Sequence, residues 1–159
     1  MAADTLWPVV VGGLLTLGGT VAGVIGTAIR DMTQQRHEKT KRRADKFEEL
    51  VAAVYEFEHW LDGVKDKNAY GKDVPETVSP FAKVQSIAAV YFPQFSEMVG
   101  ELDKASTLYR GWIHGAAQKR VRNDLDHMND GFVEAYTPLC EKQEALLRAL
   151  QQFAREHFQ

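Results

Sequence analysis

The chain has 159 residues, 45% of them hydrophobic and 26% charged, with a formal net charge of −3 and a single cysteine, Cys140. That length leaves room for one small folded domain beside a membrane span, and excludes two. One cysteine excludes an intrachain disulfide framework and suits a reducing compartment.

The first predicted element is a run without a charge from Thr5 to Ile29. As an α-helix, Pro8–Ile29 rises about 33 Å, the hydrocarbon thickness of a bilayer. Basic charge follows at once. Residues 30–46 hold seven bases and three acids, whereas 47–159 hold 12 bases and 18 acids. The positive-inside rule then places Arg30 onward in the cytoplasm of a bacterial inner-membrane protein, with Met1–Leu6 outside. A cleaved signal peptide is the competing reading, and Gly26-Thr27-Ala28 would be its cleavage site. Met1–Asp4 carries no Lys or Arg, and bases directly after the apolar run oppose export, so the expectation is an uncleaved anchor. Trp7 would sit at the outer interface.

Six of the 12 glycines fall within this run. Gly12, Thr16, Gly19, Gly23 and Gly26 follow one another at steps of four and three, which gathers them into one stripe along a helix. Apolar helices in lipid associate by close backbone approach, which small residues permit. The expectation is therefore a homo-oligomer, with Thr16, Thr20 and Thr27 as the polar lining if it encloses a pore. The bland account is that glycine is simply common in membrane helices.

Residues 30–46 contain no helix breaker and read as a juxtamembrane stalk. Arg30, Arg36, Lys39, Lys41, Arg42 and Arg43 would meet anionic lipid headgroups. Nucleic acid is the other possible counterpart of such a run.

From 47 to 159 an all-α bundle of about four helices is expected. Phe47, Leu50, Val54, Phe57, Leu61 and Val64 recur at helical spacing. That helix is expected to end near Gly63, before a loop over Lys65–Pro75. Ser79-Pro80 reads as a helix start, the serine as N-cap, for a short helix over roughly 80–91 that stops before Pro93. A third helix is expected over about 94–117, with Phe95, Met98, Val99, Leu102, Leu108, Trp112 and Ile113 inward. Asn123 or Asp124 would initiate a fourth helix, which Pro138 should kink or split at Thr137. Leu139, Leu146, Leu147, Leu150 and Phe153 form its apolar face. The aromatics Tyr55, Trp60, Tyr91, Phe92, Phe95 and Trp112 read as core, and Cys140 as a buried thiol.

Chemistry is sparse. Glu56-x-x-His59 and Asp124-x-x-His127 each pair a carboxylate with an imidazole, as di-metal sites in bundles do, and Glu97, Glu101, Glu141 or Glu144 would have to complete a set. Glu56 and His59 only flank the apolar stripe, so no metal is expected. No phosphate-cradling glycine loop, zinc-finger spacing or serine-hydrolase elbow occurs, and no cofactor is expected. The remaining motif is Arg122-Asn123-Asp124-Leu125-Asp126-His127. Arg30/His37 and Arg120/His127 have comparable spacing.

The Arg-x4-His spacing, with a polar residue after the arginine, resembles the signature of HEPN domains, which are helical bundles and often ribonucleases. The resemblance implies His127 as general acid or base and Arg122 as the phosphate ligand. It also implies two protomers that bring their motifs together on RNA. The layout of glycine-rich span, basic helix and small bundle resembles the small membrane accessory proteins of type VI-B CRISPR systems. That likeness implies an oligomeric, pore-like protein of antiviral defence in which the motif need not be catalytic.

Three functions follow as expectations. The leading one is a non-enzymatic membrane protein that self-assembles through its span, as a pore or effector. The others are a membrane-tethered HEPN-like ribonuclease using Arg122 and His127, and an anchored adaptor whose bundle binds a protein partner.

Overall fold

The computed structural model describes residues 38–158 in full, and of the residues before them it assigns 7–37 to the first helix. Four α-helices follow one another: α1 (Trp7–Asn68), α2 (Phe81–Tyr91), α3 (Ser96–Val121) and α4 (Phe132–His157), with a 3-10 turn at Pro93–Phe95 before α3. No strand occurs among the described residues. The protein is therefore all-α. Among the described residues no helix is long and apolar enough to cross a membrane. The charge-free run Thr5–Ile29, its stripe of Gly12, Thr16, Gly19, Gly23 and Gly26, and the bases Arg30 and Arg36 all lie outside the described residues. Of the expected headgroup ligands, Lys39, Lys41, Arg42 and Arg43 are described, and all four are exposed.

The bundle is the compact unit Ala44–Gln159. Its part of α1 forms because Phe47, Leu50, Val54, Phe57 and Leu61 put one apolar face on the helix, and all five are buried. Ring contacts show how the helices run. Phe47, near the start of that unit, meets Phe92 beyond the end of α2 and Phe153 near the end of α4. Phe57 meets Phe81 at the start of α2. Phe95 before α3 touches Phe153, and Trp112 late in α3 touches Phe132 at the start of α4. Each helix thus runs antiparallel to the one before it, an up-and-down bundle. Leu50, Leu102, Leu146 and Leu150 fill its middle at 0 or 1% exposure, each contributing roughly 1.5–3 kcal/mol by burial.

Several boundaries differ from the sequence reading, for local reasons. α1 does not stop at Gly63 but continues to Asn68. One glycine costs a helix only about 1 kcal/mol, and Lys65 bonds Asp62 at 2.7 Å across one turn. The stop is Gly71, whose φ of 69° is the left-handed conformation that ends helices. At α2 the cap is Pro80, while the Ser79 hydroxyl accepts from the Phe81 N–H at 3.3 Å. The helix therefore starts one residue later than expected, at Phe81, and the serine still accepts from its first N–H. α2 does end before Pro93, which opens the 3-10 turn.

The fourth helix starts at Phe132, eight residues later than Asp124, and residues 122–131 form a turn-rich connection. It is not split at Thr137: α4 is one helix with Pro138 inside it. An internal proline costs about 3 kcal/mol, which is offset by Phe132 and Tyr136 packing on Tyr109 before it and Leu139 in the core after it. Three side chains lie outside the expected core. Leu108 is 62% exposed and Tyr55 45%, and Cys140 is an exposed free thiol. On α3 the buried positions are Ala105, Ser106, Tyr109, Trp112, Ile113 and Ala116. The apolar face that began at Val99 and Leu102 therefore leads to Tyr109, and Leu108 points away from it.

Candidate functional site

The Arg122–His127 motif lies at the end of α3, where the chain must stop a helix and turn. Arg122 is the C-cap residue. Asn123 takes φ 60°, the only positive φ of a non-glycine residue among those described. The Asn123 N–H donates to the Arg120 carbonyl at 3.0 Å, and the Asp124 N–H to the Lys119 carbonyl at 2.9 Å. These two bonds make a Schellman closure, with Asn123 in the position that glycine most often fills. A polar residue after the arginine thus has a structural reason here: asparagine is the side chain that best tolerates this conformation.

The closure sets up a small charged cluster. Asp124 Oδ1 lies 2.8 Å from His127 Nδ1, and Lys119 Nζ donates to the His127 carbonyl at 2.7 Å while standing 3.9 Å from Asp130. The hydrogen bond and charge of Asp124 raise the His127 pKa above its ordinary 6.5, with Asp130 adding and Lys119 opposing. The bond from His127 correspondingly lowers Asp124 below the ordinary carboxylate value. The bond fixes Nδ1 on the carboxylate and favours the charged imidazole, while Nε2 remains directed away from that carboxylate. Such a group can serve as an acid or a base.

Arg122 is exposed, and no hydrogen bond or ion pair joins it to His127 among the described residues. It borders a shallow surface with His114, Gln118 and Val121 that His127 does not reach. Within one protomer the two residues share a turn of chain, and the surface that Arg122 borders does not include His127.

Two further sites were not legible in the sequence. The first is a cleft of about 530 Å³ between the last turns of α1 and the strap 69–80. Trp60 Nε1 donates to the Thr77 carbonyl at 2.9 Å and pins the strap there. Glu56 and His59 both line this cleft, and Glu56 faces Lys83 at 3.8 Å. Asp124-x-x-His127 does meet as a pair, but on a turn and not on a helix face. Among the described residues no group of three His, Cys, Asp or Glu side chains is arranged to hold a metal ion. The only advance hint of the cleft was the pair of prolines, Pro75 and Pro80, that stiffen the strap.

The second is a narrow cleft where Tyr109, Tyr136 and Cys140 come together with Asp62 and Gln143. Tyr109 is 1% exposed, its hydroxyl has no partner among the described residues, and burial pushes its pKa well up. A bond to Cys140, with burial second, pushes Tyr136 up to about 12. The spacing Tyr136-x-x-x-Cys140 places these two on one turn of α4, a signal that reading Cys140 as inert core passes over.

Fold and site together define a small all-α bundle with a charged, histidine-bearing turn at one end. Comparison with known family models, with curated proteins and with solved structures finds no match to this chain.

Proposed function

We propose that this chain is a single-pass protein of the bacterial inner membrane that assembles with copies of itself through its glycine-rich segment, and that it acts as a pore-forming or effector component of antiviral defence. The observation that carries this is the charge-free run Thr5–Ile29 with Gly12, Thr16, Gly19, Gly23 and Gly26 at heptad steps, followed by Arg30, Arg36, Lys39, Lys41, Arg42 and Arg43. A lone anchor gains nothing from glycine, which weakens a helix. The stripe is explained by close approach between spans. The cytoplasmic bundle then sets which copies meet, and the spans pack or open.

The test is the mass of the detergent-solubilised full chain. A defined oligomer is expected, and Gly19→Leu with Gly23→Leu should dissociate it. A strict monomer would sink the reading and leave the tethered adaptor in its place.

A second reading is favoured by one observation, the Asp124–His127 bond that orients an exposed imidazole and raises its pKa. On this reading the protein is a membrane-tethered ribonuclease in which His127 is the general acid and Arg122 holds the phosphate, with two protomers supplying one site. The intact protein should then cleave RNA, and His127→Ala should remove that activity while helical content is unchanged. Absence of cleavage across several RNAs would count against it.

A further inference from the structure

Helix α3 has two faces. One is buried through Val99, Leu102, Tyr109, Trp112, Ile113 and Ala116. The opposite face advances from Glu97 to Arg122 by alternating steps of four and three residues, with Leu108 and Gly111 at its middle. That is the step of a helix-pair seam. Leu108 stands 62% exposed on it, and a Cβ placed on Gly111 or Gly115 would meet nothing within 4 Å. Charge along the seam is uneven: its first half carries Glu97, Glu101 and Lys104, the last two paired with each other, and its end carries Arg122.

We propose that α3 pairs antiparallel with α3 of a second copy, about a two-fold axis passing between Leu108 and Gly111. The register follows from the seam itself. Leu108 then packs on the partner's Gly111, where no side chain obstructs it, and Lys104 lies over the partner's Gly115. Glu101 meets the partner's Gln118, and Glu97 meets the partner's Arg122. Every contact occurs twice, as an isologous interface requires. A parallel pairing would instead set Glu97 against Glu97 and Arg122 against Arg122, so charge selects the antiparallel arrangement. Within the protomer neither Glu97 nor Arg122 forms an ion pair among the described residues, and Glu97 acts on Lys104 only through space. Glu101, by contrast, is already held by Lys104 at 2.8 Å and Lys142 at 3.5 Å, so the intermolecular charge contact rests on Glu97 and Arg122.

This surface lies in the bundle and does not depend on assembly through the span. A single-helix seam is small beside the roughly 1,200–2,000 Å² of stable interfaces, so the pairing is concentration-dependent and is best trapped covalently. The experiment uses the full chain in detergent, with Cys140→Ser, Lys104→Cys and Gly115→Cys. Within one helix positions 104 and 115 are roughly 16 Å apart, beyond disulfide reach. Mild oxidation should therefore yield a dimer whose peptides join 104 to 115. Glu97→Lys or Arg122→Glu should each lower that yield roughly ten-fold, and the two together should restore it.

Gly111→Leu should abolish the cross-link while helical content and melting temperature hold or rise, since the added side chain points into open space. Absence of the 104–115 product would overturn the proposal, as would a charge double that fails to recover or a cross-link that survives Gly111→Leu. Gly19→Leu with Gly23→Leu tests the span alone. The α3 cross-link should persist in that variant, so failure of one surface is distinguishable from failure of the other.

Discussion

The bundle carries two aromatic clusters, one at each end, and they are built on different terms. At the Ala44 end, Phe47, Phe92, Phe95 and Phe153 meet with centroids 5.5 to 6.4 Å apart, largely edge-to-face. At the far end, Tyr109, Trp112, Phe132 and Tyr136 meet at 4.9 to 6.3 Å. The first cluster has no polar atom to satisfy. The second carries a phenol and an indole whose donors, the Tyr109 hydroxyl and Trp112 Nε1, have no partner among the described residues. One end is packed from phenylalanine rings, with His157 stacked on Phe153. The other also holds the turn that bears His127, since Gly131 beside Trp112 opens α4 with φ 79°.

The largest effect tests the first cluster. Phe153 is 9% exposed and touches Phe47, Phe92 and Phe95 as well as stacking on His157 at 4.0 Å. Phe153→Ala leaves a hole between the ends of three helices, and should cost about 3–5 kcal/mol in chemical denaturation. A loss below about 1 kcal/mol would mean that this end is not a packed core.

The contrast sharpens at Tyr109. Removing its hydroxyl breaks no hydrogen bond among the described residues, so Tyr109→Phe should change stability by less than about 1 kcal/mol, whereas Tyr109→Ala should cost as much as Phe153→Ala. A large loss in Tyr109→Phe would show that the hydroxyl holds this end together. The same tyrosines give the far end an alkaline limit. Tyr136 is raised from 10 to about 12 and Tyr109 is raised further. A phenol raised in the folded state contributes stability that is complete below pH 10 and lost as pH rises through the folded value. Alkaline melting should therefore weaken the wild type above pH 10, and Tyr109→Phe should lessen that loss.

The helical class and most of the core were legible because hydrophobic period is a local signal: Phe47 to Leu61 and Leu139 to Phe153 declare their buried faces. Helix ends were less legible because they are decided by single residues in context. Gly63 looks like a breaker and is absorbed, while Gly71 is the one whose conformation ends α1, and its bare Cα lets the Arg120 guanidinium lie against it. Asn123 reads equally as the start of a helix or the end of one, and only the two bonds back to Arg120 and Lys119 decide it. Leu108 misleads for a different reason. Its neighbour Tyr109 takes the core position, and sequence alone does not rank a leucine below a tyrosine. The Asp124–His127 pair was visible as a spacing, but its place on a turn was not.

The smallest effect isolates that turn from the cluster beneath it. His127 is exposed and raised above 6.5, so its bond to Asp124 contributes fully below pH 6.5 and is lost as pH rises through the folded value. Asp124 is lowered below 3.8, so its contribution is present above pH 3.8 and lost as pH falls through its folded value. The pair is therefore intact across the interval between the two. Asp124→Asn should bring the His127 titration, followed by its ring proton resonances, back toward 6.5, and Lys119→Gln should move it the other way. Because the pair is solvated, melting at neutral pH should not change measurably in either variant. Trp112 and Phe132 keep the turn in place whether or not the charge is there. An unchanged His127 titration in Asp124→Asn would remove the electrostatic basis for treating the far end as a chemical site, and would leave it as a helix stop on an aromatic base.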